Sequence, residues 1–354
     1  MKHSFTIYPY LNLSPTQRAN PYVKDFVAAV NAQEEAYVLN PPHKNPLLSL
    51  LPLNRWGEVT VFNWFESIPD YKYGTLQAII AVIYVCLLKI CGRKVVWVFH
   101  NKKPHSEGKQ KLKKFMAWFI AHQANLIVTH ALEGVELVKE RYPFAANKVK
   151  FMHHPTKNRL NSLIESKKTK DDKEHNKEKT KKPYAYDLLL WGPISRYKGV
   201  FDFVQYLREH PQHSLRVCII GTCSSKEDAD SLKKMLPANV NWIEARPSFH
   251  ELGKYIRQAA FVLAPYFSES VLSSGILMDS LSMGARVIGP HTGSFKDYTQ
   301  QPELKVYTFQ HFDEIPVLFE QYKDIPISLD DYQRFLDSHN WNAFVKQLIQ
   351  TLFV

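Results

Sequence analysis

Cysteine is scarce in this chain of 354 residues, which contains only Cys86, Cys91, Cys218 and Cys223. No two of them form a CxxC pair, and none stands beside a histidine cluster. A redox motif and a structural zinc site are therefore not expected. Cys86 and Cys218 fall within apolar runs, which predicts buried, unpaired thiols in a protein of the reducing cytosol.

Long apolar runs are also missing. The most apolar segment, residues 78–88, has 11 residues, whereas a helix that crosses a bilayer needs about 20. A core helix behind a sheet is favoured for this segment, with contact to a membrane as the alternative. The N-terminus leads directly into a strand pattern, which gives no sign of a signal peptide. The cytoplasm is therefore the expected location.

Positive charge is in excess but unevenly spread. Lysine and arginine number 45 against 34 acidic residues, a net charge of +11. Residues 102–114 hold six lysines and one glutamate, and residues 165–182 hold eight lysines and five acids, so these segments carry 8 of the 11 excess charges. The rest of the chain is nearly balanced, and a nucleic-acid partner is not expected. The apolar fraction of 45% excludes a disordered or fibrous chain.

Strand-like apolar runs alternate with helix-length segments along the whole chain, which predicts an α/β fold with parallel sheets. The length allows two Rossmann-like domains, over residues 1–164 and 183–335, whose sheets face each other across a ligand-binding cleft. Residues 165–182 contain no aliphatic or aromatic side chain, so they are predicted to be a flexible linker. Residues 336–354 are predicted to be an amphipathic helix that packs back on the first domain.

The most informative string, residues 188–199, reads LLLWGPISRYKG. A buried strand is predicted to end at Gly192, and a short turn then presents Arg196 and Lys198 before a helix. Two fixed cations after a strand are suited to neutralising a diphosphate. The alternative is that both are ordinary solvated cations of a surface loop.

A second string, residues 264–284, reads APYFSESVLSSGILMDSLSMG. Ser273, Ser274 and Gly275 stand where a helix should begin, and the N–H groups at a helix start attract anions. Glu269 precedes them and could accept hydrogen bonds from sugar hydroxyls. The alternative is a serine that simply caps a core helix.

The two strings together resemble the donor domain of GT-B glycosyltransferases, with GxIxxYKG followed about 75 residues later by PY…SG…LSxGxxVIxP. They are most similar to family-4 sugar transferases of bacterial exopolysaccharide and capsule synthesis. In the first half, residues 93–105, 20–22 and 62–64 look like that group's KVVWxxHN…PH, NPY and HW positions. The resemblance implies a donor site and an acceptor side. The donor-site residues would be Arg196, Lys198, Glu269, Ser273, Ser274, Gly275 and Asp279. The acceptor-side residues would be Asn20, Trp64, Asn101 and His105.

Two positions depart from the family pattern. The arginine that usually follows the first glycine of the donor loop is replaced by Pro193, so Arg196 is expected to take its place. The usual E-x7-E pair appears as Glu269 and Asp279, with nine residues between them. The identity of the sugar and the retention or inversion of its configuration therefore stay open.

His100 is predicted to follow directly after a buried strand, which is a ligand-facing position in α/β enzymes. A histidine there can accept a proton or hold a sugar hydroxyl. The alternative is a structural histidine that caps the next turn. His100 and His105 have no acidic or cysteine partner nearby in sequence, so a metal site is not expected.

The resemblance implies that the protein transfers a sugar from a UDP- or GDP-sugar to a hydroxyl of a saccharide or lipid-linked saccharide, in cell-surface polysaccharide synthesis. His100, Arg196 and Lys198 would be catalytic, and the two cations would replace a metal, with no cofactor. The alternative is a non-catalytic protein that binds an anionic membrane surface through residues 102–114. Either function would fit a peripheral position on the inner face of the cytoplasmic membrane.

Overall fold

The computed structural model of the chain describes residues 2–12, 21–102, 108–160, 184–269 and 271–353. It divides into two compact units, here called the first unit (Met1–Pro155 with His339–Val354) and the second unit (Thr156–Ser338). The sequence placed the corresponding boundaries at residues 164 and 336. The predicted linker, residues 165–182, lies outside the described residues.

The first unit is built on a parallel sheet of six strands in the order β2-β1-β3-β4-β5-β6. The strands are β1 (His3–Tyr8), β2 (Ala36–Val38), β3 (Val59–Asn63), β4 (Lys94–Phe99), β5 (Leu126–Thr129) and β6 (Val149–Phe151). The helices between them are α1 (Pro21–Asn31), α2 (Gly74–Ile90), α3 (Gln110–Gln123) and α4 (Leu132–Arg141). The strand order reverses direction at β1 and β3, so the carboxyl ends of β1 and β3 are where a ligand is expected.

The central strands of this sheet are buried along most of their length because helices cover both of its faces. Val61, Val96 and Val98 pack into one core cluster with α1 and with the last helix of the chain, Trp341–Phe353. The three helices that follow β3, β4 and β5 cover the other face, as right-handed crossovers require. The first unit is therefore completed by residues from the far end of the sequence.

The second unit contains another parallel sheet of six strands, in the order β12-β11-β10-β7-β8-β9. The strands are β7 (Tyr186–Trp191), β8 (Val217–Ile220), β9 (Val240–Ile243), β10 (Ala259–Leu263), β11 (Val287–Pro290) and β12 (Val306–Phe309). The helices are α5 (Val200–Glu209), α6 (Lys226–Met235), α7 (Phe249–Gln258), α8 (Gly275–Ser282), α9 (Gly293–Tyr298), α10 (Glu314–Tyr322) and α11 (Leu329–Ser338), and α12 (Trp341–Phe353) belongs to the first unit. Here the order reverses between β7 and β10.

The two sheets confirm the predicted α/β fold with parallel strands. The prediction of a buried thiol is wrong for Cys86, which is exposed, and correct for Cys218, which is buried. Cys86 is exposed because α2 buries only one of its faces, so the core-helix interpretation of residues 78–88 holds for that face alone. None of the described helices is long and apolar enough to cross a bilayer.

Candidate functional site

The two sequence strings of the second unit meet at the reversal point of its sheet. β7 and β10 are paired neighbours, with Leu189 opposite Val262, so the loops that follow them leave the same edge side by side. Gly199 closes the first loop with a φ of 70°, and a Cβ atom there would lie 1.8 Å from the carbonyl oxygen of Pro265 in the second loop. Glycine at this position is what allows the two loops to touch.

Replacing Gly199 by alanine is expected to lower the free energy of unfolding by about 3 kcal/mol. The left-handed backbone costs a side chain roughly 1–2 kcal/mol, and the overlap with Pro265 adds a cost of overpacking of similar size. Gly92→Ala is the matched control, because Gly92 has a φ of 69° and open space around its Cα. Denaturant unfolding of both variants measures the difference, and equal losses would show that the loop contact is unimportant.

Lys198 points into the space between these loops. It helps to line a cavity of ≈ 20 Å³, together with Gly192, Ile194, Tyr266 and Ile276 among others. Burial lowers the pKa of Lys198 to about 8, because the surrounding apolar groups replace part of the water around its ammonium. An anion bound at this strand end would restore the lost solvation and hold the lysine charged.

Arg196 lies on the same 3-10 turn as Lys198 but has different surroundings. Its Nε and Nη2 atoms donate to Oδ1 of Asp228 over 3.1 and 3.0 Å, and its guanidinium lies 4.7 Å from the ring centre of Phe201. The side chain is 66% exposed. The sequence places both cations on one diphosphate, whereas in the structure Arg196 is held by the start of α6.

The start of α8 combines a structural cap with an open helix end. Ser274 is buried, and its hydroxyl accepts the N–H of Leu277 over 3.2 Å, so it serves as the N-cap that the alternative interpretation expects. Ser273 is half-buried, and Gly275 is exposed with open space beside its Cα. The N–H groups of Gly275 and Ile276 belong to the first turn, where no carbonyl of the helix reaches them. Glu269 is exposed in the preceding loop.

Asp279, the second acid of the predicted donor pair, is engaged by a residue that the sequence did not reveal. Its Oδ1 atom lies 2.9 Å from Nη1 of Arg159, and the same nitrogen donates to the Ser282 hydroxyl over 2.9 Å. The Arg159 guanidinium also lies 4.0 Å from the ring centre of Phe249. Asp279 therefore forms a half-buried ion pair with Arg159, and a sugar or ribose would have to share it.

In the first unit, His100 follows β4 and is oriented through β3. Its Nε2 atom lies 3.0 Å from Oδ1 of Asn63, and Nδ2 of Asn63 donates to the carbonyl oxygen of Tyr8 over 3.0 Å. Because the amide group of Asn63 presents its oxygen to the ring, Nε2 carries the hydrogen. Nδ1 of His100 is then the nitrogen with the lone pair.

Aromatic side chains surround the His100 ring. Trp64 stacks on it with ring centres 4.5 Å apart, and Tyr22 meets it edge-on at 4.9 Å. Burial lowers the pKa of His100 well below its usual value, and the nearby His130 and His154 lower it further. The ring is therefore neutral at physiological pH, and the lone pair of one ring nitrogen is available to accept a hydrogen bond from a hydroxyl.

His130 and His154 extend this cluster and were not identified from the sequence. Nδ1 of His130 donates to the carbonyl oxygen of Met152 over 2.8 Å, so its Nε2 accepts the Tyr22 hydroxyl at 2.7 Å. Burial is the main cause that lowers the pKa of His130 to about 3 and that of His154 to about 4. Both follow the ends of β5 and β6, so the strand-end rule that located His100 could have found them.

The remaining acceptor-side residues are only partly described. Trp64 contacts His100, as given above, and Asn101 is half-buried, with an Nδ2 atom that has no hydrogen-bond partner among the described residues. Asn20 and His105 lie outside the described residues. Within the described ranges there is also no group of three histidine, cysteine or acidic side chains that could hold a metal ion.

No protein-family model and no curated protein sequence matches this chain. Solved structures with a similar fold do exist. HepE from Anabaena, determined with UDP and with UDP-glucose, is 11% identical, with a TM-score of 0.65 over 99% of both chains. A glycosyltransferase from Rickettsia africae is 11% identical, with a TM-score of 0.61 over 99% of this chain and 97% of its own.

A UDP-forming α,α-trehalose-phosphate synthase from Burkholderia vietnamiensis is more distant, at 7% identity and a TM-score of 0.52, over 77% of this chain and 72% of its own. These similarities show a shared fold. The chain has the GT-B fold of glycosyltransferases, as its sequence predicts.

Proposed function

We propose that this protein is a glycosyltransferase that moves a sugar from a nucleoside diphosphate sugar to a hydroxyl group of a saccharide or lipid-linked saccharide. The observation that carries the proposal is the half-buried ammonium of Lys198, at the reversal point of the second sheet and on a fold shared with UDP-binding HepE. The resemblance to family-4 enzymes of exopolysaccharide and capsule synthesis supports a role in cell-surface polysaccharide synthesis.

In the proposed reaction, an acceptor hydroxyl replaces the diphosphate at the anomeric carbon of the donor sugar. The bond from that carbon to the phosphate oxygen breaks, and its electron pair leaves with the diphosphate. Lys198 and the N–H groups of Gly275 and Ile276 would stabilise the charge that grows on the leaving group. With these groups neutralising the diphosphate, the proposed mechanism does not depend on a metal.

His100 is proposed to serve the acceptor. Its Nδ1 atom carries the lone pair, so it can accept a hydrogen bond from the acceptor hydroxyl and take its proton as the new bond forms. Asn63 is a positioning residue, because it accepts the hydrogen of Nε2 and thereby fixes which nitrogen is the base. Arg196 is proposed to contribute to donor binding while Asp228 holds its Nε and Nη2 atoms.

Nucleotide binding tests the proposal directly. We expect UDP or GDP, at 100 times its dissociation constant, to stabilise the protein by about 2.7 kcal/mol. A thermal-shift series with UDP, GDP and their glucose conjugates, repeated with EDTA, measures this effect and its dependence on metal. The matching measurement is release of free nucleotide diphosphate from the sugar donor. Absence of stabilisation by every nucleotide in the series would contradict the proposal.

A further inference from the structure

The outer face of α2 is apolar along its whole length. Leu76, Ile79, Ile83, Leu87 and Ile90 are 58, 55, 53, 40 and 80% exposed, and Cys86 is exposed among them. Their spacing of three, four, four and three residues places them on one side of the helix. The opposite side is buried in the core of the first unit. This outer side is therefore a continuous apolar stripe rather than a set of scattered exposed residues.

The neighbouring helix α3 continues this surface with aromatic and basic side chains. α2 and α3 are in contact and lie on the same face of the sheet. On α3, Phe115 and Trp118 are 45 and 47% exposed, and Lys111 and Lys114 are exposed beside them. We call the exposed residues of the two helices the α2–α3 surface.

The charge around the α2–α3 surface is almost entirely positive. Neither α2 nor α3 contains an acidic residue, and their charged residues are Lys89, Lys111, Lys113 and Lys114, of which Lys113 is buried in an ion pair with Asp70. Lys72 and Lys89 stand near the two ends of the apolar stripe. A second copy of the same surface would bring these cations together, which opposes dimerisation through it. A binding partner with an apolar interior and a negatively charged surface fits the α2–α3 surface.

We propose that the α2–α3 surface docks the protein on an anionic lipid bilayer. The apolar stripe of α2 would enter the boundary between head groups and acyl chains, as amphipathic surface helices do. Trp118 suits the same boundary because its ring is apolar while its N–H is polar. Lys111 and Lys114 would then lie against acidic head groups. This proposal does not depend on the proposed sugar transfer. Docking on the bilayer would also bring a lipid-linked acceptor to the enzyme.

The experiment is co-sedimentation of the full chain with vesicles. One set contains phosphatidylcholine with roughly one third phosphatidylglycerol, and the other contains phosphatidylcholine alone. We expect binding to the anionic vesicles, and weaker binding to the neutral ones and at high salt. Ile79→Glu and Ile83→Glu should each lower the partition coefficient about 30-fold, the effect of losing one buried isoleucine. Lys111→Gln with Lys114→Gln should lower it about 25-fold, or fivefold for each cation.

Matched substitutions elsewhere serve as controls. Val317→Glu places the same charge on another exposed apolar position, 62% exposed on α10, and Lys234→Gln removes an exposed cation of α6. Both should bind anionic vesicles like the parent protein. All variants should keep the thermal midpoint of the parent and its stabilisation by nucleotide, which separates this test from that of the proposed function.

Three results would overturn the proposal. One is equal vesicle binding by the parent and the α2 variants, and another is no binding of the parent to anionic vesicles. The third is light scattering that shows a dimer of the parent and a monomer of Ile83→Glu, because the apolar stripe would then be an interface between copies.

Discussion

Replacing Lys198 by alanine is expected to lower the turnover of the sugar donor by about 100- to 1,000-fold, roughly 3 kcal/mol of transition-state stabilisation. The reason is that negative charge on the leaving diphosphate grows as the glycosidic bond breaks. A cation at that point binds the transition state more tightly than the ground state. Binding of UDP, measured by calorimetry, should weaken by a smaller factor than turnover. Full activity of the variant would refute the donor-site assignment.

The protonation of Lys198 gives this prediction a second measurement. Because burial lowers its pKa to about 8, the free enzyme loses this positive charge above that pH. The value of kcat/KM for the donor should therefore fall as the pH rises past about 8, and Lys198→Arg should remove that fall. Arg208→Ala, which removes an exposed cation of α5, is the control and should behave like the parent.

Replacing Lys198 by an apolar residue should raise the stability of the protein while it lowers activity. The folded-state pKa of Lys198 lies below the ordinary lysine value, so the unfolded chain binds the proton more tightly. Burying the ammonium therefore opposes folding below pH 8, and that cost disappears as the pH rises. Lys198→Met should raise the thermal midpoint at pH 7 while lowering turnover as much as Lys198→Ala does. A loss of both would indicate a structural role.

Replacing His100 by alanine is expected to lower turnover by about 10²- to 10⁴-fold, the usual effect of removing a general base. Stabilisation of the protein by UDP should stay nearly unchanged, because His100 belongs to the first unit and Lys198 to the second. Steady-state kinetics and thermal shifts on the same preparations measure the two effects. His311→Ala, an exposed histidine of the second unit, is the matched control.

The hydrogen bond between His100 and Asn63 allows a second test of His100, which is the dependence of kcat/KM on pH. Because the pKa of His100 lies below 6.5, the ordinary value for histidine, its ring is still neutral at pH 6.5. The decrease of kcat/KM that protonation of this ring causes should therefore occur below pH 6.5. Asn63→Asp places a carboxylate against Nε2, which raises the pKa of His100 and should move that fall to higher pH. If the profile of Asn63→Asp matches the parent and His100→Ala is fully active, His100 is a structural histidine.

Local sequence patterns were sufficient to predict the sheets. Most strands of the two sheets are short, largely apolar runs because both sheet faces are covered, and such runs are visible without any knowledge of the fold. The helices α9 and α10 are harder to predict from the sequence. α9 has only six residues, and α10 carries Pro316 in its first turn, so neither shows a long helical period.

The candidate site was predictable only in part. Lys198 and His100 were found because both follow apolar strands, where α/β proteins place ligand-binding groups. Their surroundings depend on contacts between distant residues, such as Arg159 with Asp279 and Tyr22 with His130. No local pattern encodes such pairs. The contacts of Arg196 could not be predicted for the same reason, because its ion-pair partner Asp228 is 32 residues away in the sequence.

The packing of α12 on α1 affects how the chain is made. Trp341, Phe344 and Leu348 fill the core of the first unit, yet they are synthesised after the whole second unit. At ribosomal rates of about 5–20 residues per second, the apolar groove along α1 stays uncovered for roughly 10–40 s after Pro155 has been added. The second unit is contiguous in sequence and can close during this interval. During synthesis, the first unit to be translated is therefore the last to complete its core.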